Sequence, residues 1–298
     1  MTQTLGGIPV AEATDPMGSL VTGPGMLQYG QVQLGGGTAA GWRELVGWRD
    51  LPQADVADTP RPQAHGAYAG DVLASSQVVT FTYLLRGLPA AKSVAVDTLE
   101  RYLPMDGVDR PLVVDDGTGP WFRTARVIGR SVPQGIHYTH APLECSVQFL
   151  CADPRRYAMD AKSATLTLPA ESGGLDYPLA YPLTYGTSSG GSRVVSNTGG
   201  TSTPPVLTFV GPLTDPVVSS STGWRLGFGL TIGAGESLVV DTAAGTAKLD
   251  GTTDRLYTIT TDSSPIERCT LPPGDSTVAL TAPSGAGTVL VAFRDARM

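Results

Sequence analysis

Residues 144–157, ECSVQFLCADPRRY, constrain the chain more than any other stretch. Cys145, Val147, Phe149 and Cys151 fall at every second position, while Glu144, Ser146 and Gln148 fill the places between. Side chains of a strand alternate between its two faces, so the spacing predicts a strand with one apolar face. Leu150 and Ala152 break the polar side, so the last turn of the pleat is expected to be covered on both faces. Asp153-Pro154 then ends the ladder, because proline has no N–H and biases its predecessor toward extended backbone. Arg155, Arg156 and Tyr157 follow at once, and such a cluster suits a contact between chains.

The 298 residues are enough for one large or two medium domains. With 37 Gly and 24 Pro against 41% hydrophobic residues, the composition is turn-rich and globular, not disordered. The net charge of −7 and the lack of any basic-aromatic strip argue against a nucleic-acid partner. No apolar run reaches the roughly 18 residues that span a bilayer, so no membrane insertion is expected. The start of the chain lacks the basic and apolar regions of an export signal. Cys145 and Cys151 are about 20 Å apart along one strand face at ~3.3 Å per residue, too far to bridge. With Cys269 they read as reduced, buried thiols of a protein made in a cytoplasm.

Taken in order, residues 1–25 are rich in Gly, Thr and Pro and read as an extended arm partly ordered by neighbours. Met26–Leu34 and Gly41–Leu51 read as strands, and 55–70 as a long loop. Gln77–Arg86 is a strong strand, with Val79, Phe81, Tyr83 and Leu85 on one face. Pro89–Leu103 is the one convincing helix, entered at Pro89 and stopped by Pro104. Its expected apolar stripe is Ala91, Ala95, Leu99 and Tyr102, with Val94 and Thr98 beside it; Lys92, Asp97, Glu100 and Arg101 form the wet side. Pro111–Val114 and Trp121–Ile128 flank a hairpin turn at Asp116-Gly117.

After a flexible link at 171–174 the pattern changes. Short strand candidates recur at about ten-residue intervals, the mark of a β-sandwich. They are Val194–Asn197, Val206–Val210, Trp224–Ile232, Ser237–Asp241, Thr246–Leu249, Leu256–Thr260, Val278–Thr281 and Val289–Phe293, with no helix among them. The fold class is therefore mainly β, a β-rich first domain with one helix (1–165) and a β-sandwich second domain (166–298).

No catalytic constellation stands out. His137 and His140 sit in a proline-bounded loop without a third ligand, so no metal is assigned. No G-x-S-x-G elbow exists, and Ser188-Ser189-Gly190-Gly191 reads as a turn. Turn chemistry explains the Asp115-Asp116 pair. Residues 250–254 lack the alternating carboxylates of a calcium loop. No enzyme, cofactor or phosphate cradle is expected. One binding signal is left: Trp42, Trp48, Trp121 and Trp224 read as core anchors for the most part, but Trp224 beside Arg225, if at the surface, could stack on a sugar ring as in carbohydrate-binding modules.

The order of these elements resembles the distal tail protein of long, non-contractile-tailed bacteriophages. The resemblance rests on the loop 60–70 followed by the strand Val78–Arg86, and on the single helix leading to the Asp116-Gly117 hairpin. It rests further on FLCADPRRY (149–157), SNTGGTSTPPVLTFVG (196–211), Asp215-Pro216, GESLVVDT (235–242) and Leu249–Gly251. It covers nearly the whole chain. It implies a ring-forming belt domain over 1–165 and a galectin-like β-sandwich over 166–298. It also implies a homohexameric ring in the virion tail, joining the tail tube protein to the tail-tip and host-recognition proteins. Such a ring needs heterologous interfaces. Arg123, Arg126, Arg130, Arg155, Arg156 and Tyr157 are the candidate contacts, the first three spread over both faces of one strand. The alternative is a carbohydrate-binding module that touches a host glycan through Trp224 and Arg225.

Overall fold

The computed structural model describes residues 3–135, 142–172 and 187–298. The loop histidines His137 and His140, and Gly173-Gly174 of the expected link, lie outside the described residues. The fold is mainly β, and the chain divides into two compact units, 1–159 with Met298 and 160–297. Residues 160–165 thus fall with the second unit, where Lys162–Thr167 pairs along its length with Thr288–Phe293.

The first unit is an antiparallel sheet that folds over on itself. Its strands are β1 (Gln3–Leu5), β2 (Ile8–Val10), β3 (Met26–Tyr29), β4 (Val32–Gly35) and β5 (Ala40–Val46). Two short ribbons follow, β6 (Ala54–Val56) with β9 (Val72–Ala74), and β7 (Thr59–Pro60) with β8 (Ala67–Tyr68). Then come β10 (Gln77–Leu85), α1 (Pro89–Tyr102), β11 (Arg110–Asp115), β12 (Pro120–Ser131), β13 (Leu143–Cys151) and β14 (Arg156–Ala158). The sheet runs in the order β1-β2-β4-β3-β11-β12-β13-β10-β5.

Strand β13 carries the alternation that opens the sequence argument, and it lies between β10 and β12. Val79 faces Phe149, Phe81 faces Val147 and Tyr83 faces Cys145. Each of these six side chains is at most 1% exposed. Cross-strand pairs of this kind share one face and are the unit of sheet stability. Burying each large apolar side chain contributes about 1.5–3 kcal/mol. Strand β12 serves three partners: Pro120–Ala125 pairs with β11, Trp121 and Phe122 also pair with β14, and Arg126–Ser131 pairs with β13 across a bulge near Gly129. The bulge bends the strand. As a result Tyr29 of β3 and Phe149 of β13 put their rings 4.9 Å apart across the core.

Helix α1 ends where Pro104 predicts, but its phase differs from the expected stripe. Lys92, Ala95, Thr98 and Leu99 are buried, whereas Ala91 is exposed and Val94 is 46% exposed. The long methylene stem of a lysine can be buried like an apolar side chain, which the charge at position 92 hides in the sequence. Arg130 fixes the other end of the helix: its Nη1 donates to the carbonyls of Leu99 (3.2 Å) and Leu103 (3.4 Å), and its Nη2 pairs with Glu100. A cation there satisfies orphan carbonyls and complements the helix dipole.

Two irregular segments depart from their expected form. Residues 3–25 are not a loose extended arm: β1 and β2 join the sheet, and Ile8, Val10 and Leu20 are buried. Residues 55–70 are not an open loop. They belong to the antiparallel ribbon of β6–β9, which continues the β5–β10 hairpin beyond the sheet.

The second unit is a sandwich. One layer orders Lys162–Thr167, Thr288–Phe293, Val206–Val210, Ser237–Asp241, Thr246–Leu249 and Thr253–Asp254. The other orders Ser192–Asn197, Gly274–Thr281, Val217–Ser220 and Arg225–Gly227. Phe209 and Phe228 meet edge to face at 5.6 Å in the core between them. The expected strand 224–232 is split into Arg225–Gly227 and Thr231–Ile232, which join different sheets. Leu256–Thr258 is a 3-10 turn, not a strand. Asp250-Gly251 closes a hairpin with both residues at positive φ, and Asp250 Oδ1 accepts from Ser237 N–H at 2.9 Å.

Candidate interaction surfaces

The six candidate contacts of the first unit do not form one patch. Arg123 sits in β12 with 0% exposure. Its Nη1 donates to the carbonyl of Gly47 at 2.9 Å, and its guanidinium lies 5.2 Å from the Trp48 ring centre. Burial pushes its pKa down to about 10. This is a core strut, not a surface contact, and it corrects the expectation. The strut works because Trp48 offers a π face and Gly47 a carbonyl, both far away in sequence. Its Nε and Nη2 have no hydrogen-bond partner.

Arg126 is the more open of the β12 arginines, 4.0 Å from Asp109. Arg130 serves the helix end. Asp153 organises the exit of β13: its Oδ1 accepts from the backbone N–H and the Nε of Arg155, both at 3.0 Å, and its Oδ2 accepts from the Tyr157 hydroxyl at 2.6 Å. The Tyr157 ring packs on Phe122 at 5.8 Å, its cross-strand partner in β12. Arg156 donates to the carbonyl of Met298 at 2.7 Å. The cluster that ends the opening stretch therefore closes its own unit.

Trp224 is a core residue of the sandwich. It is 6% exposed, and its indole Nε1–H donates to the carbonyl of Thr270 at 2.8 Å. A ring held in this way offers no free face for a sugar, which corrects the reading of a surface platform. Arg225 is exposed and pairs with Asp262 at 2.5 Å. It lines an open, shallow groove with Asp215, Thr260 and Phe228. Among the described residues of this unit an exposed aromatic is instead Tyr257, 74% exposed, whose hydroxyl accepts from Arg255 at 2.6 Å. No periodicity marks Tyr257, because it stands on a turn.

Asp115 and Asp116 shape their turn: Asp115 Oδ1 accepts from Gly117 N–H at 2.9 Å, and Arg49 holds the Asp116 carboxyl down to about 2. Burial raises the three thiols to about 11, so they stay protonated near neutral pH. Among the described residues no group of three or more His, Cys, Asp or Glu side chains is placed to hold a metal.

The surface that sequence reading missed is the ribbon. Every residue from Gln53 to Ala69 is exposed. Apolar side chains stand in the open there: Val56 at 48%, Tyr68 at 59%, Val72 at 65% and Leu73 at 66%.

No family model and no curated protein matches the chain. Solved structures do. One is the SPP1 Dit (gp 19.1) protein, described as a paradigm of the hub adsorption apparatus in phages that infect Gram-positive bacteria. It aligns over 92% of this chain and 99% of its own with a TM-score of 0.61 at 15% identity. The chain has the fold of that protein. Another is a chain of the phage P2 baseplate in its activated conformation, with 8% identity, coverage of 86% and 91%, and a TM-score of 0.48.

Proposed function

We propose that this chain is a structural protein of a bacteriophage tail, a distal hub whose copies form a ring between the tail tube and the tail-tip, host-recognition apparatus. The observation that carries this reading is the fold match to the SPP1 Dit protein over nearly the full length of both chains. The element order that prompted the family resemblance runs through the same two units. The first unit is the belt that builds the ring, and the sandwich is the galectin-like domain that meets further tail proteins. Six copies, a place in the virion tail and synthesis in the host cytoplasm come with the resemblance. The role needs no cofactor, metal or reaction, only surfaces that hold neighbours in register.

The glycan alternative loses its warrant at Trp224, whose ring is packed and hydrogen-bonded inside the sandwich. Native mass spectrometry of the purified chain, with and without the tail-tube protein from the same particle, tests the hub reading. Closed multimers that bind the tube protein are expected. A chain that remains monomeric at high concentration and ignores the tube protein contradicts it. Titration with host-wall sugars is expected to give no binding.

A further inference from the structure

Arg123 is costly where it stands. Its guanidinium is fully buried, and no carboxylate of the described residues lies within ion-pair reach of it. Its Nε and Nη2 donate to nothing, and a second cation, Arg156, stands 6.0 Å from the centre of the same Trp48 ring. Asp50 and Asp153 act on Arg123 only through space, and both are engaged elsewhere. Asp50 accepts from Gly47 N–H at 2.9 Å, and Asp153 accepts from Arg155 and Tyr157. A buried charge without a paired carboxylate is less stable than an apolar side chain of similar size in its place.

What the guanidinium holds is the root of the ribbon. Residues 47–50 lead from β5 toward the ribbon, and Gln77-Val78 lead from it into β10. The two legs meet at Gly47. It has a φ of +84°, and a Cβ there would lie 2.1 Å from the carbonyl oxygen of Val78, so only glycine lets the legs touch. The Gly47 carbonyl accepts from Gln77 Nε2 at 3.1 Å, which joins leg to leg. It also accepts from Arg123 Nη1 at 2.9 Å, which joins both legs to β12. Trp48, the next residue, is 3% exposed and lies against the same guanidinium. Beyond the root the ribbon's bonds run between its own strands, as from Ser75 N–H to the Gln53 carbonyl and from Gly70 N–H to Asp58 Oδ1, both at 2.9 Å. No residue from Gln53 to Ala74 is buried, so the ribbon takes its direction from the root.

We infer that Arg123 is a positioning residue that aims the ribbon by clamping Gly47 and Trp48 to β12, and that the unit carries an unpaired buried charge for this order and not for stability. A ribbon braced within itself and fixed at its root moves as one piece with its unit. It then presents a single geometry to whatever it meets, which lowers the ordering cost of that contact. The aim of the ribbon does not depend on the hub reading, which bears only on what the ribbon meets.

Distances between paired spin labels in the full chain test it. The labels sit at Val72→Cys on the ribbon and Val94→Cys on α1, both exposed and in one unit, while the native thiols are buried. Dilution with unlabelled chain limits the distances to a single copy, so assembly does not enter the reading. With Arg123 in place a single narrow distance peak is expected. Arg123→Met should unfold at a denaturant midpoint no lower than the parent's, because Gly47 keeps Gln77 as a donor and two unpartnered donors are removed. Its distance peak should nevertheless broaden. Gln77→Ala, which parts leg from leg without touching β12, should broaden the peak less. A broad distribution in the parent, or a peak as narrow in Arg123→Met as in the parent, overturns the inference. So does a broadening in Gln77→Ala equal to that in Arg123→Met. An Arg123→Met chain that fails to fold or unfolds well before the parent overturns it too, since Arg123 would then be an ordinary stabiliser of the core.

Discussion

Residues 3–25 and 53–75 look alike on paper and behave differently in the fold. Both mix Gly and Pro with short apolar runs and show little periodicity. The first is drawn into the sheet. Gly6 takes a positive φ where a Cβ would sit 2.6 Å from the backbone of Ala95, so the turn between β1 and β2 can press against α1 and deliver Ile8 to the core. The second has no large side chain that reaches the core, and it continues a hairpin outward. Irregular composition thus does not decide between anchored and free. One buried side chain and the close approach that permits it do.

The contrast recurs between Trp224, packed in the sandwich, and Tyr257, which stands on a turn of the same unit. It gives the largest expected effect. Trp224→Ala should cost the second unit about 3–5 kcal/mol in denaturant unfolding, the usual range for emptying a buried aromatic site. Tyr257→Ala should stay within about 0.5 kcal/mol, as surface substitutions do. Equal effects would erase the distinction.

Next come the two irregular segments themselves. Ile8→Ala should destabilise the first unit by about 2–5 kcal/mol. Val72→Ala should leave its unfolding midpoint within about 0.5 kcal/mol of the parent. A loss of stability at Val72 like that at Ile8 would mean that the ribbon is covered within its own chain.

The smallest effect separates two arginines of β12. Arg130 reaches the end of α1, whereas Arg126 stands 4.0 Å from Asp109 at the surface. Arg130→Met should cost about 1 kcal/mol, the scale of a cation that serves a helix terminus. Arg126→Met should cost less than about half of that, as exposed pairs do. Thermal unfolding of the two variants side by side distinguishes them.

What sequence made legible follows from how local the signal is. Strands β10 and β13 could be read residue by residue, because alternation is a property of neighbouring positions. Helix α1 could be bounded by its prolines. Its phase was misread because Lys92 is buried, and charge alone does not report that. Arg123 and Trp224 were misplaced for a shared reason. Each is held by a carbonyl far along the chain, Gly47 for Arg123 and Thr270 for Trp224, and no local pattern announces such a partner. The cluster after β13 was read as a contact between chains, yet Asp153, four residues or fewer from Arg155 and Tyr157, binds them both. The ribbon went unseen because its strands are two or three residues long, too short for alternation to show.

Electron micrographs of the purified full-length chain test the central claim most directly. The account predicts closed rings of uniform size for the parent chain, which bind the tail-tube protein of the same particle. Discrete single copies in the parent images, with the tail-tube protein present or absent, would contradict it.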